Sequence, residues 1–263
     1  MNPLLATILA CLAGGVLSIV AAAGTLALHP SRIARLVSFA VGALLGAVFL
    51  ELLPHALEDG TVDGVMMTVL AGLLAFFLLE KLVLWRHSHG DRGSDAESPT
   101  HAGHHHHGPV ADSGRSGLMI LIGNSVHNFC DGIVIAASFL ANPALGVATT
   151  LAIVAHAIPQ QVGDFAILLM SGFGRAKAFA YNVTTGAATV VGGIAGYLFL
   201  APMQQILPNV LALAGASLLY VAVADLIPTL HRHIQPLETA KQLLLIGCGI
   251  GIIAAVHVLL EGG

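Results

Sequence analysis

The stretch GLMILIGNSVHNFCDGIVIAASFL, residues 117–140, decides how the rest of the chain is read. It is apolar and long enough to cross a hydrocarbon core of ~30 Å at 1.5 Å per residue. Its middle, however, holds His127-Asn128-Phe129-Cys130-Asp131-Gly132. Ionisable groups at that depth are expensive, so each poses a question of function. His127 and Asp131 are four apart and share one helix face, with Asn128 beside them.

Seven further windows of the same kind surround this one. They are Leu4–Leu28, Leu36–Leu57, Val65–Trp85, Leu145–Met170, Ala178–Leu200, Ile206–Leu230 and Leu243–Leu260. The whole chain of 263 residues is 56% hydrophobic and only 9% charged, with a mean hydropathy of +0.88. A soluble domain carries about 25% charged residues. That deficit excludes soluble enzymes, nucleic-acid binders and disordered tails. Segments of about ten alternating residues, which a β-barrel needs, are absent. The expected fold is an all-α integral membrane protein of eight transmembrane helices, one domain over residues 1–263. Residues 1–85 hold spans one to three, 117–171 the polar spans four and five, and 172–263 spans six to eight. The first window has no basic leader and is read as a retained helix.

Residues 86–116 form the one long link. They contain half of the 14 histidines, including His101, His104, His105, His106 and His107, and no apolar run. This loop is expected to be disordered without a ligand and to bind metal weakly. All ten Lys and Arg fall on alternate links, at Arg32, Arg35, Lys81, Arg86, Arg92, Arg115, Arg175, Lys177, Arg232 and Lys241. The opposite links carry Glu58, Asp59, Asp63 and Glu261. The positive-inside rule puts the His-rich loop in the cytoplasm and both termini outside. The short loops suit a bacterial inner membrane. Cys11, Cys130 and Cys248 all fall within spans and read as small buried hydrophobes rather than a disulfide framework.

The fifth span supplies a second polar stripe, His156, Gln160 and Asp164, at spacings of four and flanking Pro159. The antiparallel run of the two spans brings His127 and His156 to matched depth near the midplane. Two imidazoles, a carboxylate and an amide oxygen there make a shell for a borderline divalent ion such as Zn²⁺. Structural hydrogen bonding and a proton or electron relay are the alternative readings. Spans two and seven end alike, Glu51-Leu52-Leu53-Pro54-His55 against Asp225-Leu226-Ile227-Pro228, with His231 and His233 following. The two spans run in opposite directions, as an inverted-topology repeat requires. In that case spans one to three mirror six to eight, a 3+2+3 arrangement. Glu51 and His55 would then recruit ions at one mouth, and Asp225 with His231 or His233 would release them at the other. Chance similarity and helix-end solvation are the alternatives.

On His127 to Gly132 and His156 to Phe165 the sequence resembles the ZIP family of zinc and iron transporters. It is most similar to the subgroup whose fifth span reads His-Glu-x-Pro-x-Glu-x-Gly-Asp. The resemblance covers the whole chain and implies eight spans and an intramembrane metal centre. It implies metal-ligand roles for His127, Asp131, His156 and Gln160, and a second-site position for Asn128. Ala157, Gln160 and Gln161 stand where the family often has acids or histidine, so one well-formed site is expected rather than a bridged pair. The implied activity is divalent-metal uptake by a secondary or facilitative route, with no enzymatic step. A membrane potential favours cation entry by ~2.3 kcal/mol per charge per 100 mV. Zn²⁺ is the expected substrate, with Fe²⁺, Mn²⁺, Co²⁺ and Cd²⁺ as further candidates. Partners are the metal and membrane lipid, with a homodimer left open and no nucleic acid. A proton-coupled exporter and a nonconducting membrane metal sensor are the competing functions.

Overall fold

The computed structural model describes residues 2–25, 30–90, 115–170, 172–231 and 235–261. Among these it contains helices and turns and no strand. Helix α1 spans Pro3–Thr25. The second span is composite: α2 over Pro30–Gly46, a π-helical turn over Ala47–Leu52, and α3 over Leu53–Asp59. Then follow α4 (Val62–Gly90), α5 (Arg115–Ala141), α6 (Pro143–Met170) and α7 (Arg175–Leu200). The next span is composite too: α8 over Leu207–Tyr220, a π turn over Val221–Leu226, and α9 over Ile227–Leu230. Helix α10, Pro236–Glu261, completes the fold.

Seven of these helical stretches are long and apolar enough to cross a membrane. Helix α5 has the length, ~40 Å at 1.5 Å per residue. It carries the polar residues Asn124, His127, Asn128 and Asp131, as α6 carries His156, Gln160, Gln161 and Asp164. The helices also run further than the apolar windows. Helix α4 continues to Gly90, into the expected loop, and α5 begins at Arg115. Residues 101, 104–107 and 233, named as metal-binding or release positions, lie outside the described residues.

Local chemistry sets the joints. A single residue, Asn142, separates α5 from α6, and its Oδ1 accepts the Ala144 N–H at 2.7 Å. This caps the new helix, while Pro143 fits its first position because that N–H has no helical acceptor. Gly172, at φ 85°, turns the chain between α6 and α7 in the left-handed region that glycine favours.

The core lies between the second span, α5, α6 and α8, where Leu44, Leu52, Ile135, Leu145, Leu211 and Leu218 are buried. Helices α4 and α10 expose most of their apolar side chains, including Leu70, Leu74, Leu244 and Val258. That is the pattern of helices facing lipid. Two contacts are close enough to require glycine. A Cβ on Gly132 or Gly192 would meet the carbonyl of Thr189 or Phe129 across the α5–α7 seam. Gly42 and Gly249 stand in the same relation across α2 and α10, facing the carbonyls of Ile246 and Phe39. Small residues let backbones approach where burial of apolar surface gives no driving force.

Candidate metal centre

Helices α5 and α6 pack antiparallel beside each other. The i, i+4 spacing puts His127 and Asp131 on the face of α5 that meets α6, and His156 completes the group from α6. The Nε2 atoms of His127 and His156 lie 3.3 Å apart. Each stands 3.5 Å from Asp131 Oδ2. A Zn²⁺ ion with ligands at 2.0–2.1 Å in tetrahedral geometry has ligand–ligand edges of ~3.3–3.4 Å. The three atoms therefore outline one face of such a tetrahedron. Among the described residues this is the group of His, Cys, Asp and Glu whose donor atoms converge closely enough to hold an ion.

Burial sharpens the point. The side chains of Asp131 and His156 are 2% and 1% exposed, and that of His127 is 23% exposed. Asp131 Oδ2 is buried without a hydrogen bond of ordinary geometry, a costly state for a carboxylate in an apolar bundle unless a cation compensates it. His156 Nδ1 approaches the Ala152 carbonyl at 3.3 Å. With its proton there, the ring presents a lone pair on Nε2 toward the centre.

A cavity of about 650 Å³ reaches this face and is lined by His127, His156, Pro159, Gln160, Asp164 and Asp225, among others. Gln160 thus stands on the open side of the triangle, one turn along α6 from His156. Asp164, a further turn on, accepts a hydrogen bond from Asn124. Asn124 also lines the cavity. Sequence reasoning passed over it, although it lies three residues before His127 on the same stripe. Pro159 stays inside an unbroken α6 and cannot donate to the Ala155 carbonyl.

Asn128 is turned away from the triangle. It is buried and lines a separate small void with Ala157, Gln161, Cys11 and Thr189. No carboxylate lines that void, and Gln161 Oε1 is buried there without a hydrogen bond. Asn182 of α7 donates to the Gln161 backbone carbonyl at 3.3 Å.

The remaining positions are spread over both ends of the bundle. Asp225 lines the large cavity, on the end that carries the Lys and Arg. His231 is exposed at that end. His55 and Glu58 line two cavities at the other, acidic end, of about 500 and about 190 Å³. Glu51 is fully buried and pairs with His257 of α10, Oε1 to Nδ1, at 3.3 Å. The two partners of this contact lie near opposite ends of the sequence.

A family model described as "ZIP Zinc transporter" matches residues 85–257. Zinc transporter ZIP13 of Homo sapiens is 34% identical over 258 residues, covering 83% of this chain and 69% of that protein. The Mus musculus protein of the same name is 31% identical, covering 88% and 71%. The Zinc transporter ZIP13 homolog of Drosophila melanogaster is 30% identical, covering 86% and 78%. These relatives are animal proteins. The expected placement in a bacterial inner membrane, with periplasmic termini, is therefore corrected. Short loops reflect close helix packing and say nothing of the organism or the organelle. The two ends of the bundle are named below by their charge alone.

Proposed function

The chain belongs to the ZIP zinc transporter family, and from that premise we propose that zinc crosses the bundle through the face formed by His127, Asp131 and His156. It is a carrier and not an enzyme, working by a facilitative or secondary route with zinc as substrate. The observation that supports this path is the triangle itself, with edges of 3.3, 3.5 and 3.5 Å at the floor of a cavity open to the basic end. Gln160 is the fourth donor, and Asp164 and Asp225 receive the ion as it leaves along the cavity. His231, exposed at that end, is the next release position, and His233 is assigned the same role from the sequence. His55, with Glu58, takes up ions at the acidic end. The His-rich loop, with His101 and His104 to His107, is a weak acceptor.

One ion occupies the centre. The void beside Asn128 offers amides and a thiol but no carboxylate, and a dication needs negative charge to leave water. Two imidazoles and one carboxylate favour Zn²⁺ over Fe²⁺ and Mn²⁺; Co²⁺ and Cd²⁺ are close competitors. The fifth span fits the His-Glu-x-Pro-x-Glu-x-Gly-Asp subgroup with Ala157 and Gln161 replacing both acids. The metal face is complete within one chain, whether or not two copies pair.

The arrangement is read as 3+2+3 with an inverted repeat. The two acid-proline motifs fall in π turns of equal length and register, with Glu51 and Asp225 at the same place in each. The turn closes in the same way in both, Leu53 N–H to Val48 O and Ile227 N–H to Ala222 O. A proline two residues past the turn explains both, since its ring cannot accept a regular α geometry behind it. Packing also pairs off under the exchange. Helix α1 on α6 matches α7 on α5, α2 on α10 matches α8 on α4, and α2 on α6 matches α8 on α5.

Initial-rate zinc uptake into proteoliposomes tests this reading, with the parent chain and His127→Ala side by side. Saturable uptake in the parent that collapses in the variant is expected. Equal flux in both would remove the path from α5. No flux from folded, zinc-binding parent protein would favour a nonconducting metal sensor.

A further inference from the structure

The metal face is open toward the basic end and shut toward the acidic one. Neither acidic-end cavity is lined by His127, Asp131 or His156. Val147 lines the larger of them, and from Val147 to His156 is ~13 Å of helix rise. Along that stretch Ala148, Thr149, Ala152 and Ile153 are all buried. Glu51 and His257, in contact with each other, each lie one helical turn from a residue that lines this cavity. Glu51 is one turn before His55, whose Nδ1 approaches the Glu51 carbonyl at 2.9 Å. His257 is one turn before Leu260. Both His55 and Leu260 line the cavity. The pair therefore ties the second span to α10 just beneath the floor.

The other end shows the same element without such a cover. Helices α6 and α10 both pack on the π turn of Glu51, whereas their counterparts under the repeat, α5 and α4, make no comparable contact with the turn of Asp225. Asp225 faces the open cavity instead.

We infer that the Glu51–His257 pair is the latch that holds the acidic-end path shut while the basic end is open. The inference rests on the transport reading above. The physics suits a latch. The Glu51 carboxylate is buried and its contact with the His257 ring is shielded on that side, where a polar contact is strong; water entering the seam would solvate both groups and weaken it. The contact thus favours either a closed dry floor or an open wet one, and disfavours states between. His257 and Glu51 are positioning residues in this scheme; neither holds the transported ion.

The test is labelling of Ala56→Cys by a membrane-impermeant thiol reagent applied from the acidic end. Ala56 is fully buried beside His55. Reaction is read by mass spectrometry on the peptide carrying position 56, so the three native cysteines stay in place. In the latched parent the site is protected. His257→Ala and Glu51→Gln are each expected to raise the labelling rate about tenfold, the change that ~1.4 kcal/mol gives. The same variants should slow labelling of Val37→Cys from the basic end, where Val37 lines the open cavity. The exchanged pair Glu51→His with His257→Glu should restore protection, which a packing role alone does not predict. The His257 side chain is 40% exposed, so its removal leaves no buried void, and zinc binding by each variant verifies its fold. Unchanged labelling at both positions in zinc-binding His257→Ala would overturn the latch. Zinc flux of the parent is measured in the same vesicles: flux without a labelling change sinks the latch alone, and a labelling change without flux sinks the transport reading alone.

Discussion

The two π turns carry nearly the same sequence and sit in opposite surroundings. Glu51 is fully buried and paired with His257. Asp225, at the same position of the other turn, is exposed on the wall of the large cavity. Each turn ends two residues before a proline and closes with the same backbone bond. The motif therefore sets the backbone, and the helices laid over it set the chemistry. One end of the bundle is closed over its acid and the other is open around it. A single chain so displays both forms of one element, which is what the proposed inverted repeat requires of a carrier facing one side.

Removing the acids should break this comparison most strongly. Glu51→Ala removes a buried carboxylate and its contact with His257, whose side chain is 40% exposed, and should cost about 1.5–3 kcal/mol. Asp225→Ala lies on a wetted wall and should change stability by no more than ~0.5 kcal/mol. Thermal unfolding of the two variants in the same detergent measures the contrast; equal losses would show that the two turns are not in different states.

The prolines give a smaller effect. Pro54→Ala and Pro228→Ala each restore a backbone N–H, so the turn can tighten to regular α geometry. One residue of register rotates the acid by ~100°. Zinc flux should fall several-fold in both, while thermal stability holds or rises, because alanine favours a helix interior. A loss of stability matching the loss of flux would mean that the turns are structural only. The smallest effect is expected from Asp225→Asn, which keeps the shape of the wall and removes its charge. Zinc affinity at the centre should stay the same, and release to the basic end should slow two- to threefold, about 0.4–0.7 kcal/mol, in stopped-flow efflux.

Much of this was legible in the residues. Apolar windows long enough for a bilayer revealed the helices, because lipid forces every backbone group into a helix. The i, i+4 spacing of His127 and Asp131, and the depth of His156, revealed the three donors that the fold brings together. Asn124 was legible by the same stripe and was passed over because its neighbourhood reads as an ordinary span. The π turns were not legible. An i to i−5 bond leaves no compositional mark, and proline alone signals only a disturbed helix. His257 could not be matched to Glu51, because the partners sit on helices far apart in sequence that only tertiary packing brings together. The direction in which Asn128 faces was likewise decided by the packing of α1 and α7 on the α5–α6 pair. Loop length and charge counted the spans but carried no record of which organism or membrane holds them.

The account stands on the claim that His127, Asp131 and His156 bind the transported zinc. Anomalous diffraction at the zinc edge, on crystals grown with zinc, tests it most directly. The account predicts one ion per chain among the described helices, within 2.0–2.2 Å of both Nε2 atoms and an Asp131 oxygen. Zinc bound elsewhere in the bundle with this triangle empty, or two ions sharing it, would contradict the account.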